Sequence, residues 1–257
     1  VRMSLYRGRF APSPTGPLHQ GSLFAALISY LEARSHHGKW LLRIEDVDVQ
    51  REQSGARQAI IDTLQAHGLY WDEDVSYQSD RSHYYEKILE QLATHKHTFQ
   101  CPCSRKQLIE SNGQHLSFCQ KLANTQESHN LPCATKFKVN ETHFKWVDDI
   151  LGSMSLNHSE EFVLKRKEGF YAYQLAVVVD DEHAGINHVV RGLDLLDNTP
   201  RQLYLMACLN YDAPRYLHLP LILNPQGQKL SKQNQARALD LTTTQQNLLD
   251  ALRFLNQ

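Results

Sequence analysis

The stretch Arg9-Phe-Ala-Pro-Ser-Pro-Thr-Gly16, continued by Pro17-Leu-His-Gln-Gly-Ser22, decides how the rest of the chain is read. Pro12, Pro14 and Pro17 lock φ and remove backbone donors, which excludes helix and central strand, while Gly16 and Gly21 permit close backbone approach. Beyond Ser22, residues Leu23, Leu27 and Leu31, with Phe24 and Ile28 beside them, recur at helical spacing and predict a helix from near Leu23. His19, Gly21 and Ser22 then sit at a helix N-terminus, where unpaired N–H groups and the positive dipole end attract phosphate. His19 could equally act as a plain cap. A second stretch, Lys229-Leu-Ser-Lys-Gln233, follows the Gly227 of a turn and supplies two flexible cations.

A chain of 257 residues with 41% hydrophobic content can bury a sizeable core, as one large domain or a domain plus an insert. It lacks a long apolar run and a charged-then-apolar leader, so a soluble, cytoplasmic protein without membrane attachment is expected. With 27 basic against 28 acidic residues the net charge is −1, so contact with nucleic acid must come from a local patch. Five cysteines, two of them in Cys101-Pro-Cys103, argue against a disulfide framework and toward reduced thiols or metal.

After the first helix, Lys39-Trp-Leu-Leu-Arg-Ile44 is a short apolar run long enough for a buried strand and ends in Glu45-Asp46-Val47-Asp48, giving a parallel βαβ unit with carboxylates at a strand's carboxyl end. Two helices are expected next, one capped by Ser54 and stopped by Gly68, the other running from about Asp80 through Tyr84, Ile88 and Leu92. The texture changes between 97 and 165, so the chain divides into a first core half (1–96), an insert (97–165) and a second core half (166–257). Ala172-Tyr-Gln-Leu-Ala-Val-Val-Val179 reads as a continuous buried strand ending in Asp180-Asp181. Asn187 to Arg191 and Tyr216 to Leu223 read as further strands. Thr199-Pro200 opens a helix with Leu203, Ala207 and Cys208 inward, and Thr242 with Gln245 could cap a closing helix through Leu248, Leu252 and Leu255.

Three groups of residues carry candidate chemistry. His19 and Lys232, assisted by Lys229, could neutralise a triphosphate while charge builds in transfer. Arg9 and Arg191 are planar cations suited to carboxylates, Glu45 suits an ammonium, and Tyr173 adds a polar tip. Cys101 and Cys103, then His115 and Cys119, form one possible tetrahedral zinc set; the pair His129 and Cys133 has the same spacing as His115 and Cys119 and is a rival, with the nearer pair preferred on loop closure.

The two signature stretches together resemble the HIGH and KMSKS motifs of class I aminoacyl-tRNA synthetases, and R-F-A-P-S-P-T-G with R-I-E-D-V-D resembles the glutamyl branch. The resemblance covers nearly the whole chain and implies an α/β, Rossmann-type catalytic core with a zinc-containing insert. It implies that Arg9, Ala11, Ser13, Glu45, Tyr173 and Arg191 bind glutamate, that His19, Gly21, Ser22 and Lys232 bind ATP with its Mg2+, and that structural Zn2+ sits on Cys101, Cys103, His115 and Cys119. The position aligned with His115 is commonly tyrosine in shortened members. Full-length members usually follow the binding arginine with A-E-E-W, where Gly192-Leu-Asp-Leu195 stands here, and carry Asn in place of Val177. The chain also ends soon after Gln233, so no anticodon-binding domain is expected. The resemblance therefore points to the shortened paralogues, which place glutamate on the cyclopentenediol of queuosine in tRNA(Asp). Expected partners are L-glutamate, ATP and queuosine-containing tRNA(Asp), with no membrane or DNA and the chain acting as a monomer. A minimal glutamyl-tRNA synthetase, a non-catalytic tRNA-binding module of the same fold and another nucleotidyltransferase remain open readings.

Overall fold

The computed structural model describes residues 5–110, 132–140, 142–158, 160–222 and 238–256. Strand β1 (Arg7–Phe10) enters the proline loop, which feeds helix α1 (Gln20–Ser35) and strand β2 (Lys39–Ile44). Helix α2 (Ala56–Ala66), strand β3 (Ser76–Tyr77) and helix α3 (Ser82–Thr94) complete a first parallel unit, in which β1, β2 and β3 lie side by side. Helix α1 starts three residues before Leu23 because His19 caps it, and it ends where Gly38 passes under Tyr6: a Cβ on Gly38 would stand 2.4 Å from the Tyr6 carbonyl oxygen. Leu23, Phe24, Leu27 and Ile28 are buried as expected, whereas Leu31 lies on the outer face, 42% exposed.

Strands β4 (Thr98–Cys101), β5 (Ala134–Phe137) and β8 (Phe162–Lys165) form an antiparallel sheet beside the short helix α4 (Arg105–Glu110). The hairpin of β6 (Thr142–Asp148) and β7 (Gly152–His158) leaves that sheet and joins β10 (Arg215–Leu219) and β9 (His188–Gly192) in the order β7-β6-β10-β9. The parallel sheet of β1–β3 and this mixed sheet meet at β1 and β9. There the Asn187 N–H donates to Arg7 O (3.1 Å) and the Arg7 N–H donates to Asn187 Oδ1 (2.8 Å). The resulting succession β3, β2, β1, β9, β10 has its topological switch point between β1 and β9, the place where open α/β sheets bind ligands beyond their carboxyl ends.

Helix α5 (Tyr173–His183) corrects the strand expected over 172–179. A continuous apolar run suits either a doubly covered strand or a helix with no solvent face, and here every residue from Gln174 to Asp181 is buried. Its packing against α3, β8 and α6 (Thr199–Leu209) forms one of two large cores, the other being built around α1, β1 and β2. Three phase or cap expectations also shift. Helix α2 follows Gly55, with no side-chain cap, though it stops at Gly68 (φ 71°) as expected. In α6 the fully buried apolar residues are Leu205, Met206 and Leu209; Leu203 and Cys208 pack half-buried against the core as expected, whereas Ala207 is exposed. Asp240 caps the turn before α7 (Thr244–Arg253), which buries Ala251 and leaves Leu252 and Leu255 exposed. Among the described residues no helix is long and apolar enough to cross a membrane.

Because α5 has no outward face, Val177→Ala and Val178→Ala should destabilise by similar amounts, about 1–3 kcal/mol each. Urea titration of both variants checks this; a near-neutral effect at one of the two positions would mean that α5 has a solvent face.

Candidate active site

Three prolines leave the loop between β1 and α1 with few donors, so it is held through its carbonyls. The Glu45 N–H donates to Pro12 O and the Gln53 N–H to Pro14 O, both at 2.9 Å, while Gly16 turns the chain at φ 132°. His19 then caps α1: its Nδ1 accepts from the N–H groups of Gly21 (3.1 Å) and Ser22 (3.3 Å), and Ser22 Oγ accepts from the His19 N–H (2.9 Å). With the Nδ1 lone pair so used, a neutral ring carries its hydrogen on Nε2, a donor rather than an acceptor. The capping role therefore prepares the ring to meet an anion at the positive end of α1.

A cavity of about 530 Å³ opens at the carboxyl ends of β1, β2 and β9 and is lined by Arg9, Ala11, Ser13, His19, Ser22, Glu45, Tyr173 and Arg191, which the structure thus brings together. Gly21 lies in a smaller adjoining cavity of about 180 Å³, shared with His19, Ser22, Asp194 and Leu219–Ile222. Lys229 and Lys232 lie outside the described residues. The chain on either side of them comes to the start of α1: Ile222 lines the smaller cavity, Ala238 bridges to His19, and the Leu239 N–H donates to Leu18 O (3.2 Å). Cys101 and Cys103 are buried at the end of β4 under Phe99 and Leu108, away from these cavities, and His115 and Cys119 lie outside the described residues. Cys133 is half-buried; burial pushes its thiol up, the nearby Lys167 opposes this and the nearby Cys103 adds to it. Among the described residues no three metal-ligating side chains converge.

The two arginines are treated differently. Arg9 is paired directly, Nε and Nη2 to the two oxygens of Asp181 (3.0 and 3.2 Å), and Asp181 also takes Arg43 Nη1 at 2.6 Å. Arg43 reaches on to Glu45 Oε1 (3.1 Å), closing a buried chain of alternating charge. Burial pushes the Asp181 carboxyl upward, but Arg43 and Arg9 outweigh it and hold it below the usual range. For Glu45 burial prevails over the same arginines and its carboxyl is raised. Arg191, 5% exposed, donates only to neutral groups: Nη1 to Gln202 Oε1 (2.7 Å), Nη2 to Thr199 Oγ1 (2.8 Å) and Nε to His218 Nε2 (3.0 Å). Among the described residues no carboxylate forms an ion pair with it, so a buried cation faces the cavity ready for an anionic ligand. Of the supporting residues Arg43 lies in the R-I-E-D-V-D stretch, whereas Asp181, Gln202, Thr199 and His218 carried no motif. The available signals were the acidic pair closing an apolar run at Asp180-Asp181 and a histidine in phase with the buried Tyr216 on a strand.

Residues 6–254 match the family of class I tRNA synthetases (E and Q), catalytic domain. The glutamyl-Q tRNA(Asp) synthetase of Pseudomonas putida strain W619 is 46% identical over 257 residues, covering 99% of this chain and 86% of that protein. The protein of the same name from Shewanella oneidensis is 48% identical over 255 residues, covering 98% and 84%. The crystal structure of a glutamate tRNA ligase from Elizabethkingia meningosepticum, in complex with its amino acid, superposes with a TM-score of 0.78 at 30% identity. That match covers 89% of this chain and 52% of the ligase, so the chain spans about half of that longer protein.

Replacing Asp181 by Asn leaves two buried guanidinium groups without their shared carboxylate and should destabilise by about 3–5 kcal/mol at pH 7. Since the folded-state carboxyl is depressed, its stabilisation is complete above the unfolded value of about 3.9 and fades as pH falls through the lower folded value. Denaturant titrations of wild type and Asp181→Asn should thus keep their full gap above about pH 4 and draw together progressively as pH falls further; a constant gap across pH would show that the charge is not what matters.

Proposed function

Because the chain belongs to the class I tRNA synthetases of the glutamate and glutamine branch, we propose that it activates L-glutamate with ATP in the absence of tRNA and passes it to the cyclopentenediol of queuosine at the wobble position of tRNA(Asp). The observation that carries the glutamate assignment is Arg191, a buried cation at the cavity wall with neutral partners only. In the first step an oxygen of the glutamate α-carboxylate attacks the α-phosphorus of ATP, and the bond to pyrophosphate breaks. In the second a ring hydroxyl attacks the acyl carbon, gives up its proton, and AMP departs.

Arg9 and Arg191 would take the two carboxylates between them, with Glu45 opposite the ammonium and Tyr173, Ala11 and Ser13 shaping the pocket. Glutamate held there has its reacting carboxylate aimed at the start of α1, so reaction requires positioning more than covalent help from the protein. The triphosphate, arriving with its Mg2+, would meet His19 Nε2 and the N–H groups of the first turn, and the smaller cavity by Gly21 and Ser22 suits the nucleoside. Lys229 and Lys232 are the proposed partners of the leaving pyrophosphate. The chain flanking them reaches His19 from both sides, which supports that placement. Lys232 would act mainly as charge develops on the phosphate oxygens.

L-Glutamate should support ATP–pyrophosphate exchange without tRNA, and glutamine should be poorer by about 2–5 kcal/mol in apparent transition-state binding, because an amide leaves an arginine unpaired. Labelled glutamate should then appear on queuosine-bearing tRNA(Asp) and not on tRNA(Glu). Equal exchange with glutamine, or efficient charging of the 3′ adenosine of tRNA(Glu), would return the chain to another reading, the second to a minimal glutamyl-tRNA synthetase.

A structural zinc on Cys101, Cys103, His115 and Cys119 is part of the same proposal. Two buried thiols one residue apart at a strand end fit such an ion, whose chemistry would be to tie the chain between β4 and β5 to the antiparallel sheet. The nearness of Cys133 to Cys103 keeps the rival pair in play. Metal analysis should find zinc lost in Cys119→Ser and His115→Ala and kept in Cys133→Ser and His129→Ala; the reverse pattern would select the rival ligands.

A further inference from the structure

Behind Arg191 lies a second buried charge that does not touch it. Asp148, at the end of β6, is fully buried, and its carboxylate accepts from the Ile150 and Leu151 N–H groups, both at 3.0 Å, and from the His218 N–H at 3.2 Å. Its Oδ2 also lies 2.6 Å from His218 Nδ1. The other ring nitrogen of His218 accepts from Arg191 Nε at 3.0 Å. The Thr199 hydroxyl is 3.4 Å from the same nitrogen, and the Tyr216 ring is stacked on the imidazole. We propose that Asp148 and His218 are positioning residues that set Arg191 for a carboxylate of glutamate, with His218 locked in the tautomer that carries its hydrogen on Nδ1. This rests on the glutamate-activating reading above.

The argument is one of donors and acceptors. An ionised Asp148 can only accept, so it draws the ring proton to Nδ1 and leaves a lone pair on Nε2 facing the Arg191 N–H. A proton on Nε2 would set donor against donor and swing the guanidinium away. Of the five N–H groups of Arg191, the bonds to His218, Gln202 and Thr199 take three; among the described residues this leaves one on each terminal nitrogen, the number a bidentate carboxylate requires. A carboxylate bonded directly to Arg191, as Asp181 is to Arg9, would compete with the ligand for those groups. Placed behind an imidazole, the same charge orients and partly neutralises the guanidinium without occupying its binding edge. Sequence separation hid this: the three residues come from β6, β9 and β10.

The test uses the whole enzyme and two readouts. Nitrogen-15 spectra of the wild type should show His218 protonated on Nδ1 alone; a hydrogen on Nε2, or on both nitrogens, overturns the relay. In the exchange assay Asp148→Asn, whose amide can donate to Nδ1 and select the wrong tautomer, should raise the glutamate KM by about tenfold or more while the ATP KM stays put. His218→Gln removes the ring whose tautomer Asp148 sets, so adding Asp148→Asn to that variant should raise its glutamate KM no further. An unchanged glutamate KM in Asp148→Asn, an equal rise in both KM values, or additive effects in the double variant would each overturn the proposal while leaving the activity standing. Absence of glutamate-dependent exchange in the wild type would overturn the activity instead, and the tautomer would still decide whether the relay exists.

Discussion

A single buried carboxylate, Asp181, receives Arg9 from β1 and Arg43 from β2, and through Arg43 it is linked to Glu45 at the end of β2. The two strands and α5 come from opposite sides of the antiparallel sheet in sequence, and this charge cluster is where they are joined beneath the cavity floor. Without Asp181 neither arginine could remain inside the protein, since an unpaired buried guanidinium is strongly unfavourable. Without the arginines Asp181 could not be buried in α5. Its neighbour Asp180 repeats the pattern with Arg81, Gln78 and Tyr85, binding the same helix to α3. Two acids of an apolar helix thus anchor it to the first half of the chain, through β1 and β2 on one side and α3 on the other.

The site gains from having two kinds of buried arginine. Arg9, directly compensated, is a fixed part of the wall, and its field contributes with that of Arg43 to keeping Glu45 from rising further. Arg191, bonded to neutral groups, retains more of its electrostatic reach and two hydrogen-bond donors for a ligand. On the proposed glutamate reading, specificity for an acid over its amide would follow from that asymmetry, because an amide would set an NH2 against one of those donors.

How much of this could be read beforehand depends on whether a residue's role is local. The proline loop, the helix after it and the carboxylates closing β2 were legible, since proline and glycine restrict φ wherever they occur and the apolar spacing of α1 is set by its own turns. The eight cavity residues met because each lies at the end of an element that the sequence marks. Helix α5 was misread because burial on all sides erases the period that separates helix from strand. Thr199 was placed rightly at the opening of α6, but the drawing of its hydroxyl toward Arg191 depends on a strand that pairs with it only in three dimensions. The partners of Arg9 and Arg191 were illegible for the same reason: their spacing in sequence has no fixed relation to their spacing in space.

The start of α1 is completed by parts of the chain made long after it. Gln20 Nε2 donates to the Asn247 carbonyl (2.7 Å) across 227 positions, the Leu239 N–H bonds to Leu18, and Phe254 meets Phe24 edge-on at 6.1 Å. At a synthesis rate of about 5–20 residues per second, roughly 10–45 s pass on the ribosome between the making of α1 and the arrival of these contacts. Throughout that interval the first-made helix presents Leu23, Phe24 and Leu27 without all of their final cover. The start of α1 therefore takes its final form only once residues 239–254 have been made, long after the helix itself.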